Sequence, residues 1–236
     1  MIKIATAECF THGHIGREIH NFIQNYKGNL VSKYLGDITN DYFKDIVENK
    51  YSEDIEDEYV EDKIIDMDTE NKNLDKLQIS DDLRENLILV SSLFLPSVDG
   101  LSKILNLNPP EPQEIINGVK IYGEEKDKFV SSLMANGVRE LLNVDIGIGT
   151  TAGIGRGGIT ISNNKLDIIT TTDVYADLRT LTNIGLNDSE LIFKRQENGI
   201  VKTLKLLLHL LNNDPDKIGL DKIAEFDNIE IIEKNI

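Results

Sequence analysis

The opening run MIKIATAECFTHGHIGREIH constrains this chain more than any other stretch. Residues 2–7 lead with apolar and small side chains and read as a β-strand. From Ile15 the apolar positions fall at helical spacing, with Ile15, Ile19, Phe22, Ile23 and Tyr26 on one face. A strand that hands over to an amphipathic helix within a few residues must bury one side of each against the other. That is the seed of a layered α/β arrangement. Cys9, the single cysteine of the chain, sits in the join. Backbone N–H groups and the dipole of the following helix are expected to favour a thiolate there. His12, His14 and His20, three of the four histidines, follow closely.

The rest of the chain extends the pattern. A turn at 27–29 precedes a short strand within 30–35 and a helix near 41–48. Residues 87–95 are almost wholly apolar and end at Pro96, as a buried strand or a helix. Asp99 is placed to cap a short helix to Leu105. Pro109, Pro110 and Pro112 mark a rigid connector, or the entry to a helix over 113–117. A short strand at 119–122 follows. The clearest helix is 124–142, with Phe129, Leu133, Gly137, Val138 and Leu141 at its period. Gly137 costs that helix about 1 kcal/mol relative to Ala and is read as room for another backbone. Strands are expected at 144–150, 159–162, 166–172 and 229–233, and helices at 174–183 and 189–212. The predicted fold is therefore a single α/β domain spanning 1–236, with a central mixed sheet flanked by helices.

One segment departs from this alternation. Residues 48–82 hold fourteen acidic residues against four lysines, most of the chain's net charge of −16. Such a composition reads as a solvated insertion or lid within the domain. So acidic a chain repels nucleic-acid backbones and anionic membranes, and no basic patch offsets it. No run reaches transmembrane length, and MIKIATAECF lacks the apolar core of a signal peptide. One cysteine excludes an intrachain disulfide and a Cys-rich zinc site, so a cytoplasmic protein is expected.

Two places carry chemistry. At the first, Cys9 with His12 is the pairing that activates a thiol nucleophile, His12 serving as base or stabilising the thiolate; burial as a small hydrophobe is the alternative for Cys9. H-x-H beside one cysteine falls short of a metal-site signature, so no metal is expected. The second is the loop at 153–158. Gly153, Gly155 and Gly158 match G-x-G-x-x-G, but the residues that follow read as a strand, where a dinucleotide site needs a helix. The loop is instead a tight turn or an anion nest, with Arg156 adding charge and Thr150 and Thr151 adding hydroxyls.

These stretches carry a resemblance. A-E-C-F-T-H-G at 7–13 resembles the A-E-S-C-T-G-G motif of the CinA C-terminal (nicotinamide mononucleotide deamidase) fold. Residues 134–139, with 145–158 after them, resemble that family's helix, strand and T-G-x-A-G-P-x-G-G loop. The resemblance places Cys9 where that family has its nucleophilic serine. It also makes Thr11, Gly13, Thr151, Gly153 and Gly157 ligand-side positions. The Tyr and Lys that the deamidases carry after the first helix lack their spacing here, at 28–34. Over essentially the whole chain the sequence is similar to the HcgF family of methanogens, which serves iron-guanylylpyridinol cofactor biosynthesis for [Fe]-hydrogenase.

That second resemblance implies a particular chemistry. The carboxylate of guanylylpyridinol, adenylated by an HcgE-type partner with ATP, would be accepted by Cys9 as a thioester with release of AMP. Guanylylpyridinol is then the ligand, as its acyl-adenylate, and the family resemblance implies self-association. The candidate site comprises Cys9 and His12 for catalysis. Glu8, Thr11, Gly13, His14, Thr150, Thr151, Gly153, Gly155, Arg156, Gly157 and Gly158 are the candidates for ligand binding. A deamidase-like amidohydrolase and a non-catalytic nucleotide-binding protein are the competing functions.

Overall fold

The computed structural model describes residues 1–24, 83–183, 186–212 and 228–234. The expected elements at 30–35 and 41–48, the acidic segment 48–82 and Tyr26 lie outside the described residues.

Strand β1 (Ile2–Glu8) passes through the turn at Cys9 into helix α1 (His14–Gln24). Then come β2 (Leu87–Phe94), α2 (Val98–Ile104), the hairpin β3 (Glu114–Ile116) and β4 (Val119–Ile121), and the long α3 (Glu124–Leu142). β5 (Ile146–Thr151), β6 (Ile154–Gly155), β7 (Gly158–Ser162), β8 (Leu166–Thr170) and β9 (Ala176–Asp177) follow. A 3-10 helix (Leu178–Asn183), α4 (Leu186–Asn212) and β10 (Glu230–Glu233) complete the order. Six strands form one mixed sheet, β10-β8-β7-β5-β1-β2. β1 runs parallel to both neighbours, β2 and β5, and the remaining pairs are antiparallel.

This order reverses at β1: the chain moves to β2 on one side, then crosses back to β5 on the other. The carboxyl end of β1 is therefore a topological switch point, where open α/β sheets leave a crevice. Cys9 is the first residue beyond that end.

Alternation along β1 divides the core. Ile4 joins Ile15, Ile19, Ile148, Ile161, Leu204 and Leu207 beneath α1 and α4. Ala5, Ala7 and Cys9 face the other way, with Leu101, Tyr122, Val130, Met134 and Val138 beneath α2 and α3. Each fully buried aliphatic side chain in these layers contributes about 1.5–3 kcal/mol. Ile15, Ile19 and Phe22 are buried as expected, and Ile23 packs at the margin of the same layer.

Helix α3 has the expected bounds but a rotated face. Phe129 and Leu141 are 56% and 52% exposed; Gly137 and Val138 are buried as expected, but in company with Asp127, Ser131, Met134 and Ala135. The reason lies in the strands beneath. A Cβ at Gly149 would run into the Ser131 carbonyl oxygen, one at Gly147 into that of Ala135, and one at Gly158 into that of Asp127. Glycine in the strands lets the small-residue stripe of α3 lie on the sheet backbone, so bulk is turned outward. Gly137 meets the side chain of Leu107, not another backbone.

Five further expectations are resolved or changed. Residues 87–95 resolve as a strand, and 113–117 as β3 with a turn whose Asn117 and Gly118 take positive φ. The helix expected over 174–183 is β9 and a 3-10 turn, because Ala176 is drawn into pairing with Gly155. The first strand after α3 begins at Ile146, not Val144. Ser97, not Asp99, caps α2: its hydroxyl accepts from Gly100 N–H at 3.0 Å, and Asp99 pairs with Lys103. Ser97→Ala is expected to lower stability by about 1 kcal/mol, read from the urea midpoint; an unmoved midpoint would show that the cap contributes nothing.

Candidate functional site at the switch point

The two stretches singled out in the sequence meet at the carboxyl ends of β1 and β5. Cys9 N–H donates to Thr150 O at 2.9 Å, and the Thr11 and Thr150 hydroxyls bond at 2.8 Å. The turn between them is tight, with His12 at φ 52° and Gly13 at φ 78°. Two consecutive left-handed residues are what let α1 start so soon after the strand.

Glu8 organises that turn. It is fully buried, and its carboxylate accepts from the hydroxyls of Thr6, Thr11 and Ser92 and from the backbone N–H groups of Ile15 and Gly16. α1 has no acidic residue in its own first turn. Glu8, one strand residue before the turn, supplies the negative charge at the helix N-terminus instead. The expectation that this helix end serves the Cys9 thiol is corrected: period-2 alternation sends Glu8 toward α1 and Cys9 to the opposite face.

Cys9 is only 4% exposed and packs in the layer with Tyr122 and Met134. The link from His12 to Cys9 runs through the backbone, His12 N–H to Cys9 O at 3.3 Å, while the His12 ring sets its edge against Phe94 at a centroid distance of 5.4 Å. Partial burial lowers the His12 pKa below the ordinary histidine value, against an opposing pull from Glu8. His14 is lowered chiefly by burial and then by Arg17, whose guanidinium donates to Nδ1 at 3.1 Å. Both shifts favour the neutral ring.

The glycine loop is engaged from within. Gly153 N–H donates to Asp127 Oδ2 at 2.7 Å, Ile154 N–H to Tyr122 O at 2.7 Å, and Arg156 N–H to Glu124 Oε2 at 2.9 Å. The Arg156 guanidinium clamps the same Glu124 carboxylate, at 2.8 Å from Nη2 to Oε1. Gly155 and Gly157 take positive φ, and Gly158 starts β7 with no helix after it, so the loop lacks the dinucleotide-site context. His20 lies further along α1, exposed and away from the turn.

Three residues of this region were not singled out in the sequence. Asp127 is fully buried, and burial pushes its carboxyl up to about 7 against the opposing Gly153 N–H and Arg195. Tyr122 is buried and donates from its hydroxyl to Pro110 O; burial, with help from Asp127 and Cys9, pushes its phenol up to about 12. Arg195 of α4 is 1% exposed, and its Nη1 donates to the carbonyls of Gly153, Gly155 and Ala176. The available signal was a charge on an otherwise buried helical stripe: Asp127 precedes Ser131 and Ala135 at four-residue spacing, and Arg195 precedes Gly199 and Thr203 in the same way.

Among the described residues, no group of three or more His, Cys, Asp or Glu is placed to hold a metal ion, and no helix is long and apolar enough to cross a membrane.

A mixed sheet with a thiol at its switch point belongs to the α/β class. Comparison with known proteins gives the family. The family model described as "FeGP cofactor biosynthesis protein HcgF" matches residues 1–211. A UPF0254 protein of Methanothermobacter thermautotrophicus (strain Winter) is 39% identical over 208 residues, 88% of this chain and 94% of the relative. A UPF0254 protein of Methanocaldococcus jannaschii is 36% identical over 216 residues, 91% of this chain and 99% of that one. Another, of Methanopyrus kandleri, is 32% identical over 237 residues and the full length of both. The chain belongs to the HcgF family, and its role is in cofactor biosynthesis.

Proposed function

We propose that this protein accepts the carboxyl group of guanylylpyridinol as a thioester on Cys9, in the assembly of the iron-guanylylpyridinol cofactor of [Fe]-hydrogenase. The observation that carries the reading is the position of the chain's single thiol, at the carboxyl end of the central parallel strand of an HcgF-family fold. A free carboxylate is a poor electrophile, so the substrate is its acyl-adenylate, made with ATP by an HcgE-type partner. His12 takes the thiol proton once its ring, which lies against Phe94, swings toward the sulfur; its lowered pKa favours the neutral form that can accept it. The sulfur attacks the acyl carbon and the C–S bond forms. The bond from that carbon to the phosphate oxygen breaks, and AMP leaves with the electron pair. Backbone N–H groups of the 9–13 turn other than those of Cys9 and His12, which are engaged with Thr150 O and Cys9 O, would meet the developing oxyanion. Glu8, Thr11 and Thr150 hold the turn. His14, Thr151, Gly153, Gly155, Arg156, Gly157 and Gly158 border the ligand. Because Cys9 is buried, attack requires its neighbours to part.

That same burial favours a second reading, in which the protein binds a nucleotide without reacting and Cys9 only packs. Intact-mass spectrometry separates the two. With partner, ATP and guanylylpyridinol, the wild-type chain is expected to gain a hydroxylamine-labile adduct that Cys9→Ala lacks. A wild-type mass unchanged under those conditions rejects the thioester.

A further inference from the structure

Arg195 is the least satisfied charge in the described core. Its Nη1 holds three carbonyls, yet Nε and Nη2 are buried with no hydrogen-bond partner. Asp127 Oδ1 and the Thr151 hydroxyl, both buried, are likewise unpartnered, the hydroxyl leaning toward the Asp127 carboxyl without closing a bond. Leaving such donors and acceptors without partners is costly, and native chains rarely do so without a reason. These groups converge on one place. Asp127 and Arg195 grip Gly153 from its N–H and its carbonyl side. One turn beyond Arg195, Gly199 lies where an added Cβ would meet the ring of Phe10, the residue after Cys9. Cys9 is itself within electrostatic reach of the guanidinium.

We propose that Arg195 is a ligand-binding residue of the Cys9 site: the Nε–H and Nη2–H edge of its guanidinium, with the Thr151 hydroxyl, receives an anionic oxygen of the ligand. A guanidinium edge presents two parallel donors, the match for a carboxylate or phosphate oxygen pair. Asp127 is a positioning residue, holding the Gly153 peptide whose carbonyl fixes Nη1. With the ligand of the preceding section, on which the choice of probes rests, the oxygen belongs either to the phosphate or to the pyridinol carboxylate.

Arg195→Lys isolates the claim. An ammonium at this position can still donate to the three carbonyls, as the buried Lys120 does to Leu95 O and Pro96 O. It has no second donor edge. Thermal unfolding is expected to give an unchanged melting temperature, and calorimetric titration of the unactivated ligands, without the partner, a loss of affinity of about tenfold or more. If the phosphate is held, GMP and guanylylpyridinol both weaken; if the carboxylate is held, only guanylylpyridinol does. Thr151→Val removes one unpartnered hydroxyl at constant shape. It is expected to keep or raise the melting temperature and to weaken the same ligand about threefold, which carries the test should Arg195→Lys fold poorly. Wild-type affinity in Thr151→Val and in a folded Arg195→Lys overturns the proposal, as does the failure of both ligands to bind the wild-type chain. A Cys9 adduct together with unaltered affinity in the variants would remove Arg195 from the site and leave the thioester standing. Lost affinity with no adduct would do the reverse.

Discussion

Glu8→Ala is expected to destabilise the chain by roughly 2–5 kcal/mol, because it strips partners from two buried N–H groups at the start of α1. Glu8→Gln is the more telling variant. Each carboxylate oxygen takes one of those N–H groups: Oε1 that of Gly16 at 2.9 Å, Oε2 that of Ile15 at 3.1 Å. An amide offers a single acceptor oxygen. In either orientation its NH2 group confronts one helix N–H, so the isosteric change still costs about 1–3 kcal/mol. The hydroxyls of Thr6, Thr11 and Ser92 can rotate and do not rescue it. Urea unfolding of the three proteins checks this. Equal midpoints for Glu8→Gln and wild type would mean that the carboxylate is not the keystone of the turn.

That variant also shows what could be read from the residues alone. The existence and order of β1, α1, α3, β7 and β8 were legible, because each carries its own period or its own turn residues. The meeting of the 7–13 and 150–158 stretches was anticipated from family resemblance. It needs the parallel pairing of β1 with β5, a long-range fact that no local pattern contains. The face of α3 departs from the hydropathy period for the same reason. Hydropathy alone favours burying Phe129, but Gly147, Gly149 and Gly158 lie far away in sequence and decide that the small-residue stripe goes inward. Two of the glycines that look like a phosphate loop are thus accounted for by close backbone packing: Gly153 lies against the backbone of Tyr122, just beyond β4, and Gly158 against that of Asp127 in α3. Arg156, conspicuous as the loop's one cation, is taken by Glu124, whereas Arg195, far on in the chain and inconspicuous in sequence, holds the loop's carbonyls. Sequence spacing identifies charges; only tertiary structure shows which of them are left without partners.

Asp127 gives the second large effect, and its sign follows from linkage. Its carboxyl titrates at about 7 in the folded chain, against an ordinary value of 3.8. Between those values the folded state holds a proton that the unfolded state releases. Stability therefore falls as pH rises from about 4, and the loss is complete above about 7. The gap corresponds to an upper bound of roughly 4 kcal/mol. Asp127→Asn keeps an acceptor for the Gly153 N–H and cannot ionise, so its own cost is constant with pH. The stability of Asp127→Asn relative to wild type should therefore climb between pH 5 and pH 8, by about 2–3 kcal/mol over that window. Urea midpoints at the two pH values measure the difference directly. A difference that stays flat would mean that Asp127 ionises at its ordinary value, and hence that Arg195 or the Thr151 hydroxyl already partners its second oxygen in solution. It would then be the loop's rigidity, not its unmet hydrogen bonds, that Asp127 serves.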